Sequence, residues 1–219
     1  SIDIRKSPLK SRFILLKNTA IADRGTTLNM STMFVSDPET DNMQFAINSA
    51  TLADQDIKWN DTAPTTSVFS VGSSNMVNNS GNIHIAYCFA NVDGYQRIGS
   101  YIGNGSANGP FIYTGFEPAW IMIKRTDAAG AWNIFDNKRN STNPRNSILQ
   151  ADKSDQEYTN TAYNFNFYTN GFQSLNTVAD WNASGGSYIF IAIAANPDTT
   201  APTEANSFKT KLSNYLLNY

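Results

Sequence analysis

Ser187-Tyr188-Ile189-Phe190-Ile191-Ala192-Ile193-Ala194-Ala195 runs for nine residues without a charge. Tyr188, Phe190, Ala192 and Ala194 fall on one side of an extended chain, and Ile189, Ile191 and Ile193 on the other. A short run that is apolar on both faces reads as a strand covered on both sides, and its small Ala residues admit a close second layer. The other apolar runs are short too. Residues 83–89 put Ile83, Ile85, Tyr87 and Phe89 on one face and His84, Ala86 and Cys88 on the other. Residues 163–168 alternate aromatic with Asn until Tyr168, which gives one core face and one wet face. Residues 67–71, 111–113, 120–124 and 132–135 add further strands. Between these runs stand Asp93-Gly94, Asn104-Gly105, Asn108-Gly109-Pro110, Asn170-Gly171 and Gly185-Gly186, residue types that accept the positive φ of tight turns. The pattern predicts an all-β chain of the antiparallel sandwich kind. Only the C-terminus reads as helix: Phe208, Leu212, Tyr215 and Leu216 recur on one helical stripe after a linker at Thr200-Ala201-Pro202-Thr203.

The chain also repeats itself. Phe13-Ile14-Leu15-Leu16-Lys17-Asn18-Thr19 answers to Trp120-Ile121-Met122-Ile123-Lys124-Arg125-Thr126. Asp54-Gln55-Asp56 answers to Asp155-Gln156-Glu157, and Phe89-Ala90-Asn91-Val92-Asp93 to Ala194-Ala195-Asn196-Pro197-Asp198. Repetition at near-constant offset implies two copies of one folding unit. The expectation is two related, jelly-roll-like β-sandwich units in tandem, residues 1–93 and 94–198, followed by a linker and helical tail over 199–219. The second unit has two extra candidate strands in Gly94–Gly115, whereas the first has only residues 1–12 ahead of its first run. Exchange of residues 1–12 or of the C-terminal tail between subunits would complete the shorter sheet, and an oligomer is expected.

Composition narrows the function. Hydrophobic residues are 41% of the chain and suffice for a core, while charged residues are 16%, below the roughly 25% of an average soluble domain. The balance is neutral polar, as in secreted, adhesive and viral β proteins. A net charge of −2 provides no basic footprint for nucleic acid, and the one tight basic pair, Lys138-Arg139, reads as a solvated turn. No apolar run is long enough to span a membrane. Cys88 is the single cysteine, so no internal disulfide forms. No initiator Met or signal peptide opens the chain, which reads as processed or as part of something longer.

Reactive groups are sparse. His84, the single histidine, shares a strand face with Cys88, but four residues of strand separate them by roughly 13 Å, too far for a nucleophile–base pair. No Cys or His pair suggests zinc. Asp37, Glu39 and Asp41 lack the Gly and closing Glu of a calcium loop. Asp54 with Asp56, or Asp155 with Glu157, would sit about 6.6 Å apart on a strand face, near an inverting glycosidase spacing. Their duplication favours a repeated polar turn. The reading is therefore no catalytic, metal or cofactor site. Among the tryptophans, Trp120 and Trp132 lie in strand runs and read as core. Trp59 and Trp181 stand beside Asn and Asp in turns; they either pin loops onto the sandwich or face a ligand or interface.

One connected series carries a family likeness. It comprises Trp59-Asn60-Asp61-Thr62-Ala63-Pro64-Thr65, Ser67–Gly72, Ile85–Ala90, Ile98–Ser106, Gly109-Pro110-Phe111, Tyr113–Phe116, Ile123–Thr126 and Phe135–Asn140. Over roughly residues 59–197 this resembles a repeat of virion proteins in tailed phages, especially those infecting marine bacteria and cyanobacteria. The resemblance implies a non-enzymatic tail-fibre, appendage or capsid-decorating component on the particle surface. Its partners would be other capsid or tail proteins and, for attachment, a host surface glycan. The alternatives are a polysaccharide-degrading tailspike-type enzyme and a secreted glycan-binding module.

Overall fold

The structure, a computed structural model, describes residues 2–3, 13–18, 30–33, 43–44, 56–62 and 68–197. The predicted C-terminal helix and tail, the Asp37–Asp41 turn and, of the N-terminal exchange segment, all but Ile2 and Asp3 lie outside them; those two residues pair with Phe69 and Val68 of the same chain.

Strand β15 (Ser187–Ala194) behaves as its alternation requires. Tyr188, Phe190, Ala192 and Ala194 enter one core cluster, and Ile189 and Ile191 enter another on the opposite side, with Ile193 packed against it. Each large side chain so buried is worth roughly 1.5–3 kcal/mol relative to exposure. Antiparallel neighbours flank β15 on both edges: β9 (Pro118–Arg125) and β7 (Gln96–Ile102). Beyond β9 come β10 (Asn133–Asp136), β11 (Ser147–Gln150) and β12 (Tyr158–Thr159), in the sheet order β12-β11-β10-β9-β15-β7.

A smaller sheet, β13-β14-β8, covers one face of this six-stranded sheet; its strands are Phe165–Tyr168, Gly171–Ser174 and Phe111–Tyr113. Phe165, Phe167, Phe172 and Ile112 point inward against Ile121, Ile123, Phe135, Tyr188 and Phe190. The opposite face is covered by Trp59 of α1 (Asp56–Trp59), Phe69 of β5 (Val68–Phe69) and Val77 of α2 (Asn75–Asn78), packed with Ile98, Met122, Trp132, Ile189 and Ile191. All described strand pairings are antiparallel, so the protein is all-β.

Residues 13–18 and 120–125 form strands with corresponding neighbours in the two halves. In the first half, β4 (Met43–Gln44), β3 (Met30–Met33), β2 (Phe13–Asn18) and β6 (His84–Phe89) form a sheet in the order β4-β3-β2-β6. The second half contains β11-β10-β9-β15 in the same chain order and pairing. Phe13 faces Phe89 and Lys17 faces Ile85; correspondingly, Trp120 faces Ile193 and Lys124 faces Ile189. β1 (Ile2–Asp3) pairs with β5 as β8 pairs with β14. A helical turn precedes the last strand of each half: α2 before β6, and α3 (Ala179–Asn182) before β15. Its closing Asn donates its side-chain amide to the carbonyl six residues back in both, Asn78 to Gly72 at 3.0 Å and Asn182 to Asn176 at 2.7 Å.

Two sequence expectations differ from this arrangement. Asp54 and Gln55 of the first acidic triplet lie outside the described residues, and the closing residues of the two triplets differ: Asp56 opens α1, while Glu157 directly precedes β12. The 93/94 boundary falls between β6 and β7 but does not separate two cores, because Trp59, Phe69 and Val77 share a cluster with four residues of the central sheet and Trp132.

Candidate ligand-binding surface

Trp59 and Trp181 are each 1% exposed, so neither offers a face to solvent. This corrects their reading as a ligand surface. Asn60 and Asp61 adopt positive φ (55° and 42°), which ends α1 and folds Trp59 inward. Trp181 stands edge-on to Phe135 at 5.4 Å and to Tyr163 at 5.1 Å. Its Nε1 donates to Asn176 Oδ1 at 2.7 Å. Tyr101 OH donates to Trp181 O, and Tyr188 OH donates to Ala179 O while accepting from Ala183 N, so two tyrosines pin α3 to the sheet.

The reactive candidates also fall apart. Asp155 and Glu157 are exposed, and Glu157 lies 3.8 Å from Arg139 Nε. Arg139 is not a solvated turn residue; it pairs with Asp136 and donates to Ile134 O. His84 Nδ1 sits 3.3 Å from Asn82 O, and desolvation pushes the exposed Cys88 thiol up, away from thiolate character. No described group of His, Cys, Asp or Glu could hold a metal ion. Lys124, the signature lysine of the repeat, is buried and lowered to about 8 by burial, but its Nζ donates to Arg125 O at 2.6 Å.

The exposed chemistry lies on the outer face of the β13-β14-β8 sheet. Because Phe165, Phe167, Phe172 and Ile112 turn inward, the alternate residues turn out. The pairing sets Tyr168, Gly171 and Tyr113 in one cross-strand row and Asn166, Gln173 and Phe111 in the next. Tyr113 is 62% exposed, Phe111 44% and Tyr168 36%. Phe111 and Tyr168 lie 5.8 Å apart, tilted by 55°. Gly171 makes the grouping fit: a Cβ there would come within 2.6 Å of the Phe111 ring tip, so the ring lies over bare backbone.

Amides fix the rim of this platform. Asn166 donates to Tyr168 OH and Tyr168 OH donates to Gln173 Oε1, each at 3.2 Å. Gln173 Nε2 donates to Asn108 Oδ1 at 2.9 Å and to Gly109 O at 2.8 Å.

Beside the platform, where the edges of β8 and β7 face each other, is a cleft of about 430 Å³. Phe111, Tyr113, Tyr101 and Phe190 supply its aromatic walls, and Asn91 and Arg97 its polar groups; no carboxylate lines it. Gly99 lowers the floor, since a Cβ there would meet Phe190 at 2.8 Å. A flat aromatic surface with fixed amides beside a mixed cleft can hold a ligand that has both apolar C–H faces and hydroxyls. The sequence did carry one signal of it. Tyr168 breaks the aromatic–Asn alternation by placing a ring on the wet side.

No curated protein and no solved structure matches the chain. The family model of DUF7483, a domain of unknown function, matches residues 8–197 of the 219, and the chain belongs to that family.

Proposed function

We propose that this chain is a non-catalytic surface component of a tailed-phage virion, built on two related sheet units, that adheres to host glycans through the Phe111–Tyr113–Tyr168 platform. The exposed platform carries the reading. Three large aromatic side chains stand outward on one small sheet with their polar rim already hydrogen-bonded, a costly surface to leave in water unless it meets a partner. Sugar rings suit such faces, because their C–H groups stack on aromatic rings while their hydroxyls reach the amides. A weak single site becomes effective when many copies on a particle engage at once. The resemblance to tailed-phage virion repeats supports placement on the particle. The absence of any carboxylate from the cleft lining speaks against a glycosidase there.

The test is a host-glycan array probed with the wild-type chain and with a Phe111→Ala/Tyr113→Ala double variant, both displayed multivalently. Retention on a defined glycan set, lost in the variant while thermal unfolding is preserved, is the expected outcome. Retention of no glycan, or equal retention by both proteins, overturns the adhesive reading. Immunogold labelling of purified phage particles tests the location, and unlabelled particles would refute the virion assignment.

A further inference from the structure

The cleft differs from the platform in one respect: it contains a cation. Arg97 lies on β7 between the buried Gln96 and Ile98, and it is half-buried. Ile98 belongs to the cluster on the far side of the sheet, so Arg97, Gly99 and Tyr101 share the side facing the small sheet. Register places Arg97 opposite Ala192 and Gly99 opposite Phe190, so small side chains leave the guanidinium room. The Arg97 guanidinium makes no hydrogen bond or ion pair with any described residue, unlike those of Arg125, Arg139 and Arg145, which are all engaged. Beside it, Asn91 accepts from Ile98 N through Oδ1 at 2.7 Å, which leaves its Nδ2 as a second donor in the same cleft.

The Arg97 side chain is half-buried as a whole, and its guanidinium has no protein partner among the described residues, so it stands available to a ligand in the cleft. Its planar fork matches a carboxylate and can hold one through two parallel hydrogen bonds. The surrounding Phe111, Tyr113 and Tyr101 rings suit the ring to which that carboxylate is attached. Resting on the glycan reading above, we infer that the cleft selects acidic sugars of the uronic-acid type: Arg97 takes the carboxylate, Asn91 Nδ2 assists, and the pyranose ring lies against the aromatic wall.

The experiment titrates the full chain by calorimetry or NMR with tetramers of α-1,4-linked galacturonic acid and with the matching galactose tetramers, for wild type and Arg97→Gln. The expected result is at least tenfold tighter binding of the acidic tetramer by wild type. Arg97→Gln should bring it to the level of the neutral tetramer. Equal affinity of wild type for the two tetramers overturns the inference while leaving the adhesive reading standing, as does an acidic preference that survives Arg97→Gln. Binding of neither tetramer, in a chain that does retain other glycans on the array, likewise removes only the acid-sugar assignment. If no glycan of any kind is retained, both fall. Displacement of the acidic tetramer by inorganic phosphate as readily as by monomeric galacturonate marks a bare anion site and overturns the sugar assignment.

Discussion

Asn182 is fully buried, and its side chain ties a loop, a turn and a helix end together. Its Oδ1 accepts from Asn104 N at 2.9 Å, and its Nδ2 donates to Ser106 O at 2.8 Å and to Asn176 O at 2.7 Å. One amide thereby holds the 104–108 loop beside the cleft and the turn that seats Trp181. Asn182→Ala removes all three bonds. Each is worth about 1 kcal/mol net, and a backbone group left dry costs roughly 1–3 kcal/mol. Asn104 and Ser106 are exposed and can regain water, whereas Asn176 is buried. The expected loss is therefore about 2–4 kcal/mol. Asn78→Ala, in the matching position of the first half, removes one bond from an exposed residue and should cost about 1 kcal/mol. Asn182→Asp is nearly isosteric but sets a carboxylate oxygen where Nδ2 faced two carbonyls, so at pH 7 it should be worse than Ala. The introduced carboxyl is pushed above its unfolded value of about 3.9 by burial and by those carbonyls. The folded state then binds more protons in the window above that value, and the Asp variant recovers stability as pH falls from 7 towards 4. Urea unfolding followed by tryptophan emission at pH 7 and pH 4.5 gives each difference. An Ala variant within about 0.5 kcal/mol of wild type, or an Asp variant no worse than Ala at pH 7, refutes the account.

Further outcomes follow from the same geometry. Burial lowers Lys124 to about 8 in the folded state, against an ordinary value of 10.5 for an exposed lysine. The unfolded chain therefore binds more protons between those values, and stability should rise with pH across about 8 to 10.5, by an amount of order 3 kcal/mol; Lys124→Met should flatten that part of the urea-stability profile. Trp181→Ala should cost about 3–5 kcal/mol through the cavity it leaves, while Tyr113→Ala, largely exposed, should stay within about 0.5 kcal/mol by the same assay. Gly99→Ala should cost about 1–3 kcal/mol by displacing the Phe190 ring, and a crystal structure of the variant should show the cleft narrowed. Because Trp59 packs in the cluster it shares with Met122 and Ile191, Trp59→Ala should lower a single calorimetric transition; a split into two transitions would show halves that unfold independently.

What the sequence disclosed was what local alternation encodes. β15 needed no partner to be recognised, because two apolar faces on one short run have few other uses. The Phe13–Thr19 and Trp120–Thr126 match pointed to β2 and β9, which hold equivalent places in equivalent strand orders. Asp56 and Glu157, which close the two acidic triplets, came out differently because an acidic residue suits either a helix start or a strand entrance, and nothing local distinguishes them. Trp59 and Trp181 were ambiguous because Asn and Asp neighbours signal a turn without signalling its direction. Around Trp181 the amides of Asn176 and Asn182 point inward and are satisfied there, whereas Asn60 and Asp61 beside Trp59 stay exposed while the indole turns in. The platform was hidden for the converse reason. Phe111-Ile112-Tyr113 looks like core, and in a three-residue strand only the pairing with β14 decides that Ile112 goes in and both rings go out. Arg97 gave no signal at all, since an arginine's lack of partners is a property of its surroundings.

The two halves share a strand order yet put it to different uses, and the difference explains where the site is. The platform needs three strands, because its outer row runs from Tyr113 across Gly171 to Tyr168. The matching ribbon of the first half, β1 with β5, has two strands among the described residues, and Phe69 on it is turned into the shared core. β7 enters the second half directly after β6, through the turn in which Val92 pairs with Gln96, and it closes the edge of β15 while carrying Arg97 and Gly99 into the cleft. A strand that follows the last strand of the first half thus completes the six-stranded sheet and supplies the floor and the cation of the cleft. The first half contributes Trp59, Phe69 and Val77 to steady the reverse face of the sheet. That division leaves the outer aromatic face of the small sheet free of packing duty, which is the physical condition for a surface that can spend its rings on a ligand.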